Sequence, residues 1–147
     1  MNHFLFVYGT LRKGFRNEHA EFLAEHATHR GPARLRGRMY EINGYPGISP
    51  SPDHGDQVSG DLYELHAPAL VLARLDDYEG YAESAIAETC DYLRQEMNVH
   101  LLSGQTLKAW VYLYNREVDE RQRIYSGDYR RYLGRPEGKT AAKCTGG

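Results

Sequence analysis

The chain has 147 residues, 41% hydrophobic and 26% charged, with a net charge of −2 when histidine is neutral. That is one domain's length with enough apolar material to bury a core unaided, which excludes a disordered chain and a mini-fold that depends on metals or disulfides. The slightly acidic balance offers no electrostatic basis for nucleic acid or an anionic membrane, and leaves a small polar molecule as the expected partner.

Residues 3–8 form a compact apolar and aromatic run of strand length, so Tyr8 is placed at a strand's end. Gly9 then permits a backbone turn that other residues resist. Successive N–H groups of Gly9, Thr10 and Leu11 at such a turn can converge on a carboxylate or phosphate, and Thr10 adds a hydroxyl donor. Read from its residues, this stretch is an anion nest.

Residues 12–17 are polar, and residues 18–26 read as a short helix with Phe22, Leu23 and the alanines inward and acids early, where the helix dipole favours them. His19, His26 and His29 raise a metal reading, but no Cys, Asp or Glu completes a recognised ligand spacing, and no metal is expected. Residues 33–42 alternate as a half-buried strand whose Arg34, Arg36 and Arg38 face solvent. Residues 43–55, rich in Gly, Pro, Ser and Asp, are expected to be loop. A strand returns over residues 57–65, where Gly60 marks a bulge or a close approach.

The strongest helix signal is residues 68–78, with Pro68 in the first turn, Val71, Leu75 and Tyr78 at i, i+4 and i+7, and Gly80 as the stop. Asp76, Asp77 and Glu79 then crowd a helix C-terminus whose carbonyl dipoles are already negative. Such crowding disfavours ionisation and is expected to push at least one carboxyl pKa upward, which suits acid–base work better than it suits a surface helix.

Residues 82–89 are expected to be loop with some helical character, and residues 92–102 and 107–114 two strands joined through Ser103-Gly104-Gln105. Trp110, Tyr112 and Tyr114 share one parity and Val111 and Leu113 the other, so both faces of the second strand should be covered. Residues 116–123 read as a solvated loop or helical turn, Tyr125, Tyr129 and Tyr132 as packing across a barrel mouth, and residues 134–147 as a mobile tail after a single domain over 1–133. No leader or membrane-spanning run is evident, and Cys90 and Cys144 read as reduced thiols, so the cytoplasm is the expected compartment.

Taken together, Tyr8-Gly9-Thr10-Leu11 and Leu75-Asp76-Asp77-Tyr78-Glu79-Gly80 resemble the gamma-glutamylcyclotransferase-like family, which includes the gamma-glutamylamine cyclotransferases and AIG2-like proteins. The resemblance extends to Gly37 to Tyr40 with Tyr45-Pro46-Gly47, which in that family tends to lie beside the site, and to Val58-Ser59-Gly60-Asp61-Leu62-Tyr63, Ala109-Trp110-Val111-Tyr112 and Ser126-Gly127-Asp128-Tyr129-Arg130. It implies an α+β fold, a small mixed β-barrel or strongly curved sheet with two or three helices. It also implies cyclisation of a gamma-glutamyl group to 5-oxoproline with release of the attached amine, acyltransfer or lyase-type chemistry that needs no metal and no cofactor.

In that likeness Glu79 is the catalytic residue, Gly9, Thr10 and Leu11 hold the substrate's carboxylate or stabilise developing negative charge, Tyr8 shapes the pocket, and Tyr129 lines it. The family usually resumes sooner after the catalytic Glu with a Tyr-x-Arg strand, matched here by Tyr92-Leu93-Arg94, so this chain carries extra residues at the pocket wall. The leaving amine and the oligomeric state stay open. The alternative reading keeps the pocket as a non-catalytic carboxylate-binding or regulatory site on the same fold.

Overall fold

The computed structural model describes residues 1–82 and 86–134. The expected tail beyond Gly134, Cys144 and part of the extra segment after Glu79 therefore lie outside the described residues.

Five strands close on themselves. β1 (Phe4–Val7) and β2 (Ala27–Ile42) lie on either side of β4 (Gln57–Leu65), both antiparallel to it, and β3 (Tyr45–Pro50) folds back on β2. β5 (Tyr92–Leu101) and β6 (Thr106–Tyr114) form an antiparallel hairpin, and β6 runs parallel to β1 at Leu5↔Trp110. Pairing of Ala33 with Leu101 and Arg34 with His100 joins β2 to β5 and completes a mixed barrel in the order β2-β4-β1-β6-β5. The expected α+β barrel is thus present, with α1 (Glu18–Glu25), α2 (Pro68–Glu79) and α3 (Tyr129–Leu133) around it.

Three expectations change. Residues 43–55 are not all loop, because β3 pairs along β2 from Ile42↔Tyr45 to Gly37↔Pro50. β3 ends the strand order, and a sheet's edge tolerates Pro46 and Pro50, which lack N–H donors. β2 starts six residues before 33, its early part hidden by a register shift between His29 and Gly31, where Gly31 takes φ 111°. A two-residue strand, β7 (Arg123–Ile124), pairs with β2 at Met39 and Tyr40.

The helices follow their local signals. Asn17 caps α1 by accepting the Ala20 N–H at 2.8 Å, and Ala20 and Leu23 are buried, although Ala24 faces solvent. In α2, Pro68 occupies the first turn, and Val71, Leu72, Leu75 and Glu79 are buried. Gly80 takes the left-handed conformation at φ 74°, and the Tyr81 N–H returns to the Asp76 carbonyl at 2.9 Å, so the chain turns sharply right after Glu79.

Period-two alternation on β1 sorts the core into two layers. Phe6 and Tyr8 point into one cluster with Leu35, Val58, Leu62, Val111 and Tyr129, while Leu5 and Val7 join Leu23, Val71, Leu72, Leu75 and Tyr112 in the other, beneath α1 and α2. On β6, Val111 and Leu113 take the first side and Tyr112 the second, so both faces are covered as expected. Burial at about 25 cal/mol per Å² of apolar surface makes these two layers the main stabilising term. At Gly60 a Cβ would lie 2.3 Å from the Val7 carbonyl oxygen, which makes this a close approach.

Candidate active site

The site forms where the end of β1, the end of α2 and the paired strands β5 and β6 meet. Tyr8 is fully buried, and its hydroxyl donates to the Tyr112 carbonyl at 2.7 Å and lies against the Ile48 backbone N–H. Its phenol pKa is raised well above the ordinary value, first by burial and then by the nearby Tyr92 and Glu79. Tyr92, also buried, donates to the Pro46 carbonyl at 2.9 Å. Tyr45-Pro46-Gly47 and Ile48 therefore run beside the two phenols, as the likeness suggested.

Glu79 is only 4% exposed. Its negative charge acts on the phenols of both Tyr8 and Tyr112, which brings the last turn of α2 to the end of β1 across 71 positions of sequence. Tyr112 is raised well above the ordinary phenol pKa by burial first, then by Asp76, to which it donates at 2.7 Å, and by Glu79.

The turn after Tyr8 is held from below. Gly9 accepts from the Arg12 N–H at 3.2 Å, and Asn17 Nδ2 donates to the Thr10 carbonyl at 2.9 Å. Among the described residues the N–H groups of Gly9, Thr10 and Leu11 and the Thr10 hydroxyl have no protein acceptor, the condition an anion nest requires. The left-handed residue of this loop is Gly14, at φ 100°, and not Gly9.

Arg12 folds inward, donating from Nε to Asp61 at 3.1 Å and from Nη1 to Asp128 at 3.2 Å. Asp61 also accepts the Lys13 N–H at 3.2 Å and meets His29 Nε2 at 3.1 Å. This buried network fixes the loop's backbone, because removing one partner of a buried pair leaves the other charge uncompensated.

His19 and His26, read from sequence together with His29, have separate partners. His19 stacks on Tyr78 with centroids 3.7 Å apart, and His26 Nδ1 meets the Phe22 carbonyl at 2.9 Å. Tyr129 lies 1% exposed in the same core layer as Tyr8, and its hydroxyl donates to the Gly44 carbonyl at 3.2 Å.

Asp76, named in the sequence with the acidic residues at the end of α2, has partners that the sequence did not indicate. Arg94 Nε and Nη2 reach the two oxygens of Asp76 at 2.8 and 3.1 Å, and the guanidinium lies 4.4 Å from the centroid of the Trp110 ring. The ladder sets Arg94 directly opposite Tyr112, so both converge on Asp76. The only sequence hint was an Arg two residues beyond Tyr92 in the resuming strand.

Residues 5–131 match the family model described as gamma-glutamyl cyclotransferase, AIG2-like. A Methanocaldococcus jannaschii protein named "putative gamma-glutamylcyclotransferase" is 29% identical over 89% of this chain and 98% of its own length. The gamma-L-glutamyl-butirosin B gamma-glutamyl cyclotransferase of Niallia circulans is 32% identical over 77% of this chain and 67% of its own. The crystal structure of a Mus musculus AIG2-like protein superposes with a TM-score of 0.71 at 23% identity, covering 96% of this chain and 95% of that one, and shares its fold. The chain belongs to the gamma-glutamyl cyclotransferase, AIG2-like family.

Proposed function

We propose that the protein cyclises a gamma-glutamyl group to 5-oxoproline and releases the attached amine, with Glu79 moving the proton. The observation that carries this reading is a buried carboxylate whose charge reaches the phenol at the end of β1, immediately before the loop of unoccupied amides.

The substrate brings its own nucleophile. Glu79 takes a proton from the α-ammonium, the freed nitrogen attacks the γ-carbonyl carbon, and the new C–N bond closes a five-membered lactam. As the old C–N bond breaks, the protonated Glu79 passes its proton to the departing nitrogen, and the second proton that the attacking nitrogen sheds on becoming the lactam N–H follows through the same carboxylate, so 5-oxoproline and the released amine, as its ammonium, leave and the carboxylate is restored. Intramolecular attack draws on effective molarity, worth roughly 7–11 kcal/mol at its best, and general acid–base help adds about 10²–10⁴-fold.

Gly9, Thr10 and Leu11 hold the α-carboxylate or the developing oxyanion through their N–H groups, and Tyr8 forms the buried base of the pocket. A rigid loop matters here, because misplacement by an ångström costs much of the positioning gain. The supports from Arg12 and Asn17 supply that rigidity.

The test is a panel of gamma-glutamylamines, gamma-glutamyl amino acids and larger gamma-glutamylated amines, with 5-oxoproline and free amine measured together. One-to-one release from any member supports the cyclase. Binding of 5-oxoproline without turnover of any member would instead support a carboxylate-binding protein on this fold.

A further inference from the structure

We infer that Asp76, clamped by Arg94, is a positioning residue that captures the Tyr112 hydroxyl proton and so keeps it off Glu79. The inference rests on the reading of Glu79 as the base.

A phenol has one proton to give. Asp76 and Glu79 stand three residues apart, neighbours on one side of α2, and the Tyr112 hydroxyl gives its bond to Asp76 at 2.7 Å. Arg94 makes that choice durable. Its fork holds both Asp76 oxygens, at 2.8 and 3.1 Å, while its side chain is 5% exposed and rests against Trp110. A two-pronged guanidinium fixes the carboxylate's plane as a lysine would not.

The tyrosine itself is fixed as well. Its backbone lies in the β5–β6 ladder opposite Arg94, and its carbonyl accepts the Tyr8 hydroxyl at 2.7 Å. What remains free to change is rotation of the phenolic O–H, and Asp76 decides its direction.

The direction matters to the chemistry. A hydrogen bond donated to a carboxylate stabilises its charged form and weakens it as a base. With the proton committed to Asp76, the Tyr112 oxygen can only accept from whatever else approaches, such as a substrate ammonium. Among the described residues the ionisable groups around this pair are Asp76 and Glu79 on α2, Tyr81 just beyond it, Tyr8 after β1, Tyr92 and Arg94 on β5, and Tyr112 on β6.

The experiment is a set of pH profiles of kcat and kcat/KM for 5-oxoproline release by the full chain, comparing wild type, Asp76→Asn, Tyr112→Phe and the double variant. A neutral amide competes less well for the phenol, so Asp76→Asn should shift the acidic-limb midpoint down by about one pH unit and lower kcat about tenfold with little change in KM. In the double variant the midpoint should rise back toward wild type from that of Asp76→Asn, because no phenol proton is left to turn toward Glu79 and only the effect of the lost Asp76 charge remains. Tyr112→Phe alone should leave the midpoint in place, and this variant keeps the test decisive even where Asp76→Asn fails to fold.

An upward shift of the midpoint in Tyr112→Phe would show that the hydroxyl already bonds Glu79, and would overturn the inference. So would a double variant no better than Asp76→Asn, which is what a merely structural ion pair produces. Those failures occur in an active wild type that Glu79→Gln silences. No turnover by wild type, or full turnover by Glu79→Gln, removes the proposed function itself and this inference with it.

Discussion

The Tyr8 hydroxyl donates to the Tyr112 main-chain carbonyl at 2.7 Å, tying the residue before the Gly9-Thr10-Leu11 loop to the strand that carries the second phenol. β1 is only four residues long, so this bond fixes the point where the chain leaves the barrel. Tyr8→Phe removes a buried hydroxyl together with its bond to the Tyr112 carbonyl, a loss of about 1–3 kcal/mol. Urea unfolding of the two proteins measures it, and equal midpoints would deny the bond a structural role.

Alkaline stability should reflect the buried phenols. Tyr8 and Tyr112 are held well above the ordinary tyrosine range, chiefly by burial, and Tyr63 is pushed to about 12 by burial and the charge of Asp61. An unfolded phenol titrates near 10, so above that pH the unfolded chain has shed protons that the native chain keeps. Stability is therefore complete below about pH 10 and falls as the pH rises toward 12. Tyrosinate absorbance should show these three ionising together with unfolding, which circular dichroism follows in parallel. Their early, independent titration would contradict this.

The acid side depends on Asp56. Its carboxyl is lowered to about 2 by hydrogen bonds from Arg38, then Ser51, and also Arg123. A depressed carboxyl stabilises the native state above its unfolded pKa, and that contribution is lost as the pH falls from about 4 through about 2. Asp56→Asn should thus be less stable than wild type at pH 7, with the difference closing at pH 2. A gap that is constant with pH in chemical denaturation would point to packing instead.

Gly127 is the glycine the fold can least replace. It has φ 64°, and a Cβ there would lie 1.9 Å from the Gln57 carbonyl oxygen, while its own carbonyl accepts the Ser59 N–H at 2.7 Å. Gly127→Ala combines left-handed strain with a backbone clash, together roughly 2–4 kcal/mol. Gly55→Ala, where a Cβ meets nothing within 4 Å, should change the thermal midpoint little. Similar effects of the two substitutions would argue against this packing.

What the sequence revealed and what it hid have a common physical basis. The loop after Tyr8 and the helix end at Glu79 are written in local grammar: an apolar strand, a small turn, Pro68 at a first turn and Gly80 at a stop. The supports of the site are written in pairs of distant residues. Arg12 meets Asp61 and Asp128, and Asp76 meets Arg94 and Tyr112, across separations from 18 to 116 positions that no periodicity encodes. Arg12 looks like one more polar loop residue until the barrel brings β4 and the start of α3 beneath it.

β3 was hidden for a different reason. Tyr45-Pro46-Gly47-Ile48-Ser49-Pro50 has a turn's composition, and only its place at the sheet edge lets two prolines sit in a strand. Gly47 is needed there because a Cβ would come within 2.9 Å of Tyr114.

The proton-transfer role of Glu79 is tested most directly by Glu79→Gln, which keeps the side chain's size and removes its basicity. With a gamma-glutamyl substrate that wild type turns over, the variant should lose about 10²–10⁴-fold in kcat while still binding 5-oxoproline and keeping its far-UV circular dichroism. A variant within a few-fold of wild type would mean that another group moves the proton, and the central claim would fall.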